Sequence, residues 1–147
     1  MLENVKVNIK IKLAALWTSV TLCYLYENYF ELYTPDIVNS LISGENNLDS
    51  PTKLLLASII FAISSVMVAA SIILKPKTNR ILNIIFGTLF TLMMIAIGIY
   101  STNEWYLFYV FLAFLESVIT ALIVWYAWKW PRNIGLMTDK YKGLATV

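Results

Sequence analysis

The sequence predicts an all-α membrane fold: a bundle of four transmembrane helices with both termini in the cytoplasm and a short amphipathic helix in the outer loop. Three observations predict it. Of the 147 residues, 59% are hydrophobic and only 14% are charged, where a soluble domain carries about a quarter charged residues. Mean hydropathy is +0.70. The apolar residues also fall in blocks of about 20, the length a helix needs to cross about 30 Å of hydrocarbon. A chain of this length is expected to form a single membrane domain over residues 1–147.

The first span is expected over about residues 13–33, with Glu27 and Glu31 in its outer third. The positive stretch before it has no small-residue cleavage site after it, so it reads as an uncleaved helix rather than a signal peptide. The alternation Val5 to Lys12 reads as a lysine collar beside anionic headgroups, with a short strand as the other reading. Between spans one and two, Thr34-Pro35 can start a helix and Gly44 can end it. Ile37, Val38, Leu41 and Ile42 share one face of it, which suits interfacial anchoring.

The second span is expected over about 54–74, opened by Ser50-Pro51 and closed by Lys75-Pro76. The third covers about 81–100, with Thr78 as its expected cap. The fourth covers about 105–128, and Ser101 and Glu104 have capping-box spacing at its start. Orientation follows from the 11 lysines and arginines. Lys6, Lys10, Lys12, Lys75, Lys77, Arg80, Lys129, Arg132, Lys140 and Lys142 fall on one side, and only Lys53 on the other. The positive-inside rule therefore places both termini and the 75–80 loop in the cytoplasm. Tyr24, Tyr26, Tyr29, Phe30, Tyr33, Trp105, Tyr106 and Tyr109 read as the outer aromatic belt. Trp125, Tyr126, Trp128 and Trp130 read as the inner one.

Several chemistries drop out. With no histidine, Ser-His and Cys-His catalysis, His-ligated haem and His-based metal sites are excluded. The single cysteine, Cys23, rules out an internal disulfide and reads as packing. No metal site or cofactor is expected, and the net charge of +2 is too small and scattered for a nucleic-acid surface. The expected partner is the lipid bilayer. Small-residue stripes indicate helix contacts: Ser58, Ala62, Ser65 and Ala69 on span two, Asn83, Gly87, Thr91 and Gly98 on span three, and Ala113, Glu116, Thr120 and Ala127 on span four. These faces are expected to form the inside of the bundle. The span-two stripe has a second use, as the contact with another copy or a partner membrane protein.

The carboxylates carry the functional signal. Glu116 lies near the middle of span four, about 18 Å from either end. A charge at the midplane costs about 3 kcal/mol even on insertion scales, so such a residue normally faces the interior and marks a function. Glu27 lies about 22 Å from the cytoplasmic side counting from Lys12, and Glu116 about 20 Å counting from Lys129. Glu31 sits one turn outward of Glu27, so the three acids can line a path for a proton or a cation. No lysine or arginine occupies a span core to neutralise them. The structural alternative is a protonated Glu116 hydrogen-bonded to Thr91, Ser64, Ser65 or a tyrosine, pinning helix register.

The run Tyr24-Leu25-Tyr26-Glu27-Asn28-Tyr29-Phe30-Glu31-Leu32-Tyr33, within Leu13 to Pro35, and the run Val124-Trp125-Tyr126-Ala127-Trp128-Lys129-Trp130-Pro131 resemble a family of small bacterial four-helix membrane proteins of unknown function. The resemblance covers nearly all of residues 4–131. It implies a bacterial inner-membrane protein and no established activity. Glu31 and Glu116 match acids of the family pattern. At Glu27-Asn28 the family acid falls on the second position, about 100° around the helix, which weakens the expected Glu27–Glu116 pairing. A likeness to four-helix sterol-isomerase-like domains extends only to size and span count and carries no function.

Three functional readings follow. The leading one is non-enzymatic: a small membrane protein with a buried acidic site at Glu116, acting as an accessory subunit or in ion or small-molecule passage. The second is an enzyme on a lipid or isoprenoid substrate, with Glu116 as acid and Glu27 or Glu31 as base. The third is a pure scaffold.

Overall fold

Asn8 accepts a hydrogen bond from the Lys10 backbone N–H and so opens the first helix, α1, Ile9–Glu31. The computed structural model describes residues 7–45, 48–101 and 103–131. Among these every regular element is helical: α1, α2 (Ile37–Ser43), α3 (Pro51–Ile73), α4 (Pro76–Tyr100), a 3-10 turn at Glu104–Tyr106, and α5 (Leu107–Trp128). The Val5–Lys12 alternation is helical from Ile9 onward, so that part is no strand. Val5 and Lys6 lie outside the described residues, as do Arg132, Lys140 and Lys142.

Local chemistry explains most boundaries. Ser50 caps α3 by accepting from the Lys53 N–H, with Pro51 in the first turn. Gly44 ends α2 in the left-handed region at φ 76°. Two expected caps fall elsewhere. Thr78 lies inside the first turn of α4, because Pro76 already starts that helix and Lys75 is its N-cap. Ser101 is not the cap of the last helix. Its hydroxyl bonds back to the Ile97 carbonyl and closes α4, while Asn103 caps the 3-10 turn that precedes α5.

Three helices are long and apolar enough to cross a membrane: Pro51–Ile73, Pro76–Tyr100 and Glu104–Trp128. Helix α1 has the length, at 23 residues, but Thr18, Ser19, Thr21, Glu27 and Asn28 dilute its apolar character.

Packing is uneven. Helix α5 lies between α1 and α4, and α1 also packs on α3, whereas α3 and α4 meet sparsely. Leu13, Trp17, Val20 and Tyr24 of α1 form the core with Met67 of α3, Phe90 and Met94 of α4, and Ala113 and Ile123 of α5. Trp17 meets Phe90 edge-on with ring centroids 5.7 Å apart. Gly87 permits the close approach of α4 to α5, since a Cβ there would lie 2.8 Å from Val124 Cγ2. Gly87→Leu is therefore expected to cost about 1–3 kcal/mol by overpacking, read as a lowered thermal midpoint in detergent.

The small-residue stripes do not all point inward. Those of α4 and α5 do, through Asn83, Gly87, Ala113, Glu116, Thr120 and Ala127. The α3 stripe does not: Ser58, Ala62, Ser65 and Ala69 are all exposed, and the buried face is Ser64, Met67 and Ser71. Ser64 and Ser65 are about 100° apart on the helix, so turning one inward turns the other out.

The cations gather at one end, and several bond backbone rather than solvent. Lys10 Nζ caps the end of α3 through the Ile72 and Leu74 carbonyls, at 3.0 and 2.7 Å. Arg80 does the same for α5 through Ala127 and Trp128. Lys129 lies 3.8 Å from the centre of the Trp125 ring. At the opposite end, Lys53 pairs with Asp49 at 2.7 Å.

Candidate functional site

Glu27 and Glu116 each fall on a core stripe. On α1 the buried residues Leu13, Trp17, Val20, Tyr24 and Glu27 follow spacings of three and four. On α5, Ala113, Glu116, Thr120, Ile123 and Ala127 do the same. Because α1 packs on α5, the two stripes face each other and carry both acids inside. Glu116 has 0% of its surface exposed and Glu27 has 3%. They lie near enough for their carboxyl groups to interact electrostatically, with Glu31 acting on Glu27 in turn.

Glu116 has no hydrogen-bond partner on either carboxylate oxygen, and Glu27 Oε1 and the Tyr24 hydroxyl also lack one. Tyr24 lies close enough to Glu116 for its hydroxyl to interact with the carboxyl group, though without a well-aligned hydrogen bond. The three hydroxyls expected near Glu116 are engaged elsewhere or point away. Thr91 Oγ1 donates to the Gly87 carbonyl and lies in hydrogen-bond contact with Thr120 Oγ1, each at 2.7 Å. Ser64 donates to the Phe61 carbonyl and accepts from Thr21. Ser65 is exposed. None of these three hydroxyls bonds Glu116, which leaves Tyr24 as the tyrosine beside it.

Glu31 is half-buried at the end of α1, and Tyr109 donates to it at 3.4 Å. Beside Glu27 lies a partly enclosed cavity of about 180 Å³, with Tyr24, Glu27 and Asn28 of α1, Phe61 of α3, Met93 of α4 and Tyr109 of α5 in its wall. It occupies the gap left where α3 and α4 pack sparsely. Glu116 is not in that wall. Tyr24 departs from its expected place in the aromatic belt. It is 3% exposed and packs on Phe61 and Phe90.

A second buried polar group escaped the sequence reading. Trp17 Nε1 donates to Asn83 Oδ1 at 2.8 Å, and Asn83 Nδ2 donates to the Asn79 carbonyl and to Asn79 Oδ1. Asn79 Nδ2 in turn donates to the Ser71 carbonyl. All four residues are fully buried. The four-residue spacing of Asn79 and Asn83 was visible in the sequence, but the partner on α1 was not. This knot is satisfied, whereas the acids are not, and that contrast separates structure from candidate site. No group of three or more metal-ligating His, Cys, Asp or Glu residues occurs among the described residues.

Fold and site together define an all-helical protein with three helices suited to crossing a membrane and unpartnered carboxylates within its core. The chain belongs to the family of unknown function DUF6326, whose pattern matches residues 3–136. Comparison with curated proteins and with solved structures finds no match.

Proposed function

We propose that this is a four-span inner-membrane protein, with both termini cytoplasmic, that passes a proton or small cation through a site built on Glu116, Glu27 and Glu31, alone or as an accessory subunit. The observation that carries the reading is the pair of buried, unpartnered oxygens on Glu116. Such a group costs stability, and proteins retain it where a ligand or a proton uses it. The graded burial from Glu31 through Glu27 to Glu116 supports a path entering from one end. Helix α1 supplies the fourth crossing, and the cation-rich end of the bundle supports the cytoplasmic placement. The exposed apolar face of α2 suits interfacial anchoring.

The cavity size favours passage over lipid chemistry. At about 180 Å³ it lies below the roughly 300–1,000 Å³ of pockets that hold drug-sized ligands, and Glu27 enters it without Glu116. Four helices leave little room for a wide aqueous path in one protomer. An oligomer assembled through the exposed α3 stripe Ser58, Ala62, Ser65 and Ala69 fits that constraint.

The test is proton flux in proteoliposomes, read with an enclosed pH dye under an imposed potassium diffusion potential. Wild-type protein is expected to conduct and Glu116→Gln to lose most of that flux. Absence of flux in wild type, or equal flux in the variant, overturns the reading.

A further inference from the structure

The cavity beside Glu27 has a wall chemistry more specific than a proton path requires. Its one charged side chain is Glu27, and no lysine or arginine lies in the wall. Glu27 Oε1 and the Tyr24 hydroxyl are buried there without partners. Tyr24 and Phe61 form an edge-to-face corner with ring centroids 5.2 Å apart, and the Tyr109 ring joins the same wall. The Met93 and Met94 side chains complete it. The Asn28 amide is turned by its own bond to the Tyr24 carbonyl at 2.7 Å, which leaves its side-chain oxygen as an acceptor.

A bare metal cation is poorly served by this wall. Calcium takes six to eight oxygen ligands and magnesium a near-octahedral set, whereas this wall offers one carboxylate, the Asn28 amide oxygen and tyrosine hydroxyls among rings, thioethers and aliphatic carbon. An organic ammonium is well served. Its charge pairs with the carboxylate, its carbon substituents lie against the aromatic faces, and cation–π attraction strengthens where water is excluded. The volume of about 180 Å³ equals that of about six liquid waters, enough for a small amine and too little for a phospholipid.

We propose that the Glu27 cavity binds a small lipophilic organic cation, a methylated or aryl-substituted amine, with Glu27 pairing its charge and Tyr24, Phe61 and Tyr109 facing its ammonium group. The sparse α3–α4 seam beside the cavity is its route of entry. The proposal rests on the reading of the intramembrane acids as a cation site and names the class of cation.

The probe is phenyltrimethylammonium, with tert-butylbenzene as its neutral isostere, titrated into purified full-length protein and read by thermal shift and calorimetry. Wild type is expected to bind the cation at least about tenfold more tightly than the neutral isostere. Glu27→Gln should weaken cation binding about tenfold and bring the two ligands together, and Tyr109→Leu should weaken it several-fold. Ala57→Phe, which fills the cavity from α3, should abolish binding of both. Equal affinity for the two compounds in wild type, or cation binding unchanged in both Glu27→Gln and Ala57→Phe, overturns the proposal. Proton flux that depends on Glu116, with no binding of the cation, leaves the passage reading standing and removes this one. Cation binding without flux does the reverse.

Discussion

Glu116→Met is expected to make the protein more stable, by about 1–3 kcal/mol, the penalty of a buried polar group left without partners. Methionine matches the length of glutamate and leaves no polar atom to satisfy. The sign decides between two views of the residue. A register pin held by hydrogen bonds would make the substitution destabilising, because its partners would then be stranded. Both oxygens of Glu116 lack a partner, so no partner is stranded and the apolar replacement relieves a cost. A rise in the detergent unfolding midpoint, together with loss of flux, would mark stability given up for function. A fall in the midpoint would return Glu116 to a structural role.

Asn83→Leu is expected to have the opposite and comparably large effect, a loss of about 2 kcal/mol or more. Asn83 accepts from Trp17 Nε1 and donates to both oxygens of Asn79. Its removal leaves the Trp17 donor buried without a partner, at a cost of about 1–3 kcal/mol by itself. Individual membrane hydrogen bonds average nearer 0.6 kcal/mol, so the expected loss comes from several bonds breaking at once. A double-mutant cycle with Trp17→Phe isolates the shared bond. Asn83→Leu should cost about 1 kcal/mol less in the Trp17→Phe background than in wild type. An unchanged midpoint in Asn83→Leu would show that the knot contributes nothing to folding.

These two residues show why the site was only partly legible beforehand. A lone glutamate in a charge-free run announces itself by composition, so Glu116 could be found without coordinates. Glu27 was harder, because it sits near the polar end of α1, where headgroup level and bundle interior look alike in composition. The spacing of three and four along Leu13, Trp17, Val20, Tyr24 and Glu27 was the available signal, and the aromatic-belt reading of Tyr24 obscured it. The Trp17–Asn83 knot had no such signal. Tryptophan in a span is usually apolar packing, and its donor matters only when a particular acceptor stands opposite.

Composition and patterning alone specified helices, their approximate ends and the clustering of cations at one end. Those properties follow from transfer free energy and local capping, which depend on residues near in sequence. The rotation of each helix was a different matter. Whether Ser64 or Ser65 faces inward on α3 depends on what α1 offers across the contact, and a turn of 100° reverses the answer. The sparse seam between α3 and α4, and the cavity it leaves beside Glu27, likewise come from three-dimensional packing. Sequential neighbours joined by a short connection diverge because α3 packs on α1 while α4 packs on α5. Only that packing left one buried polar group fully bonded and the carboxylates without partners.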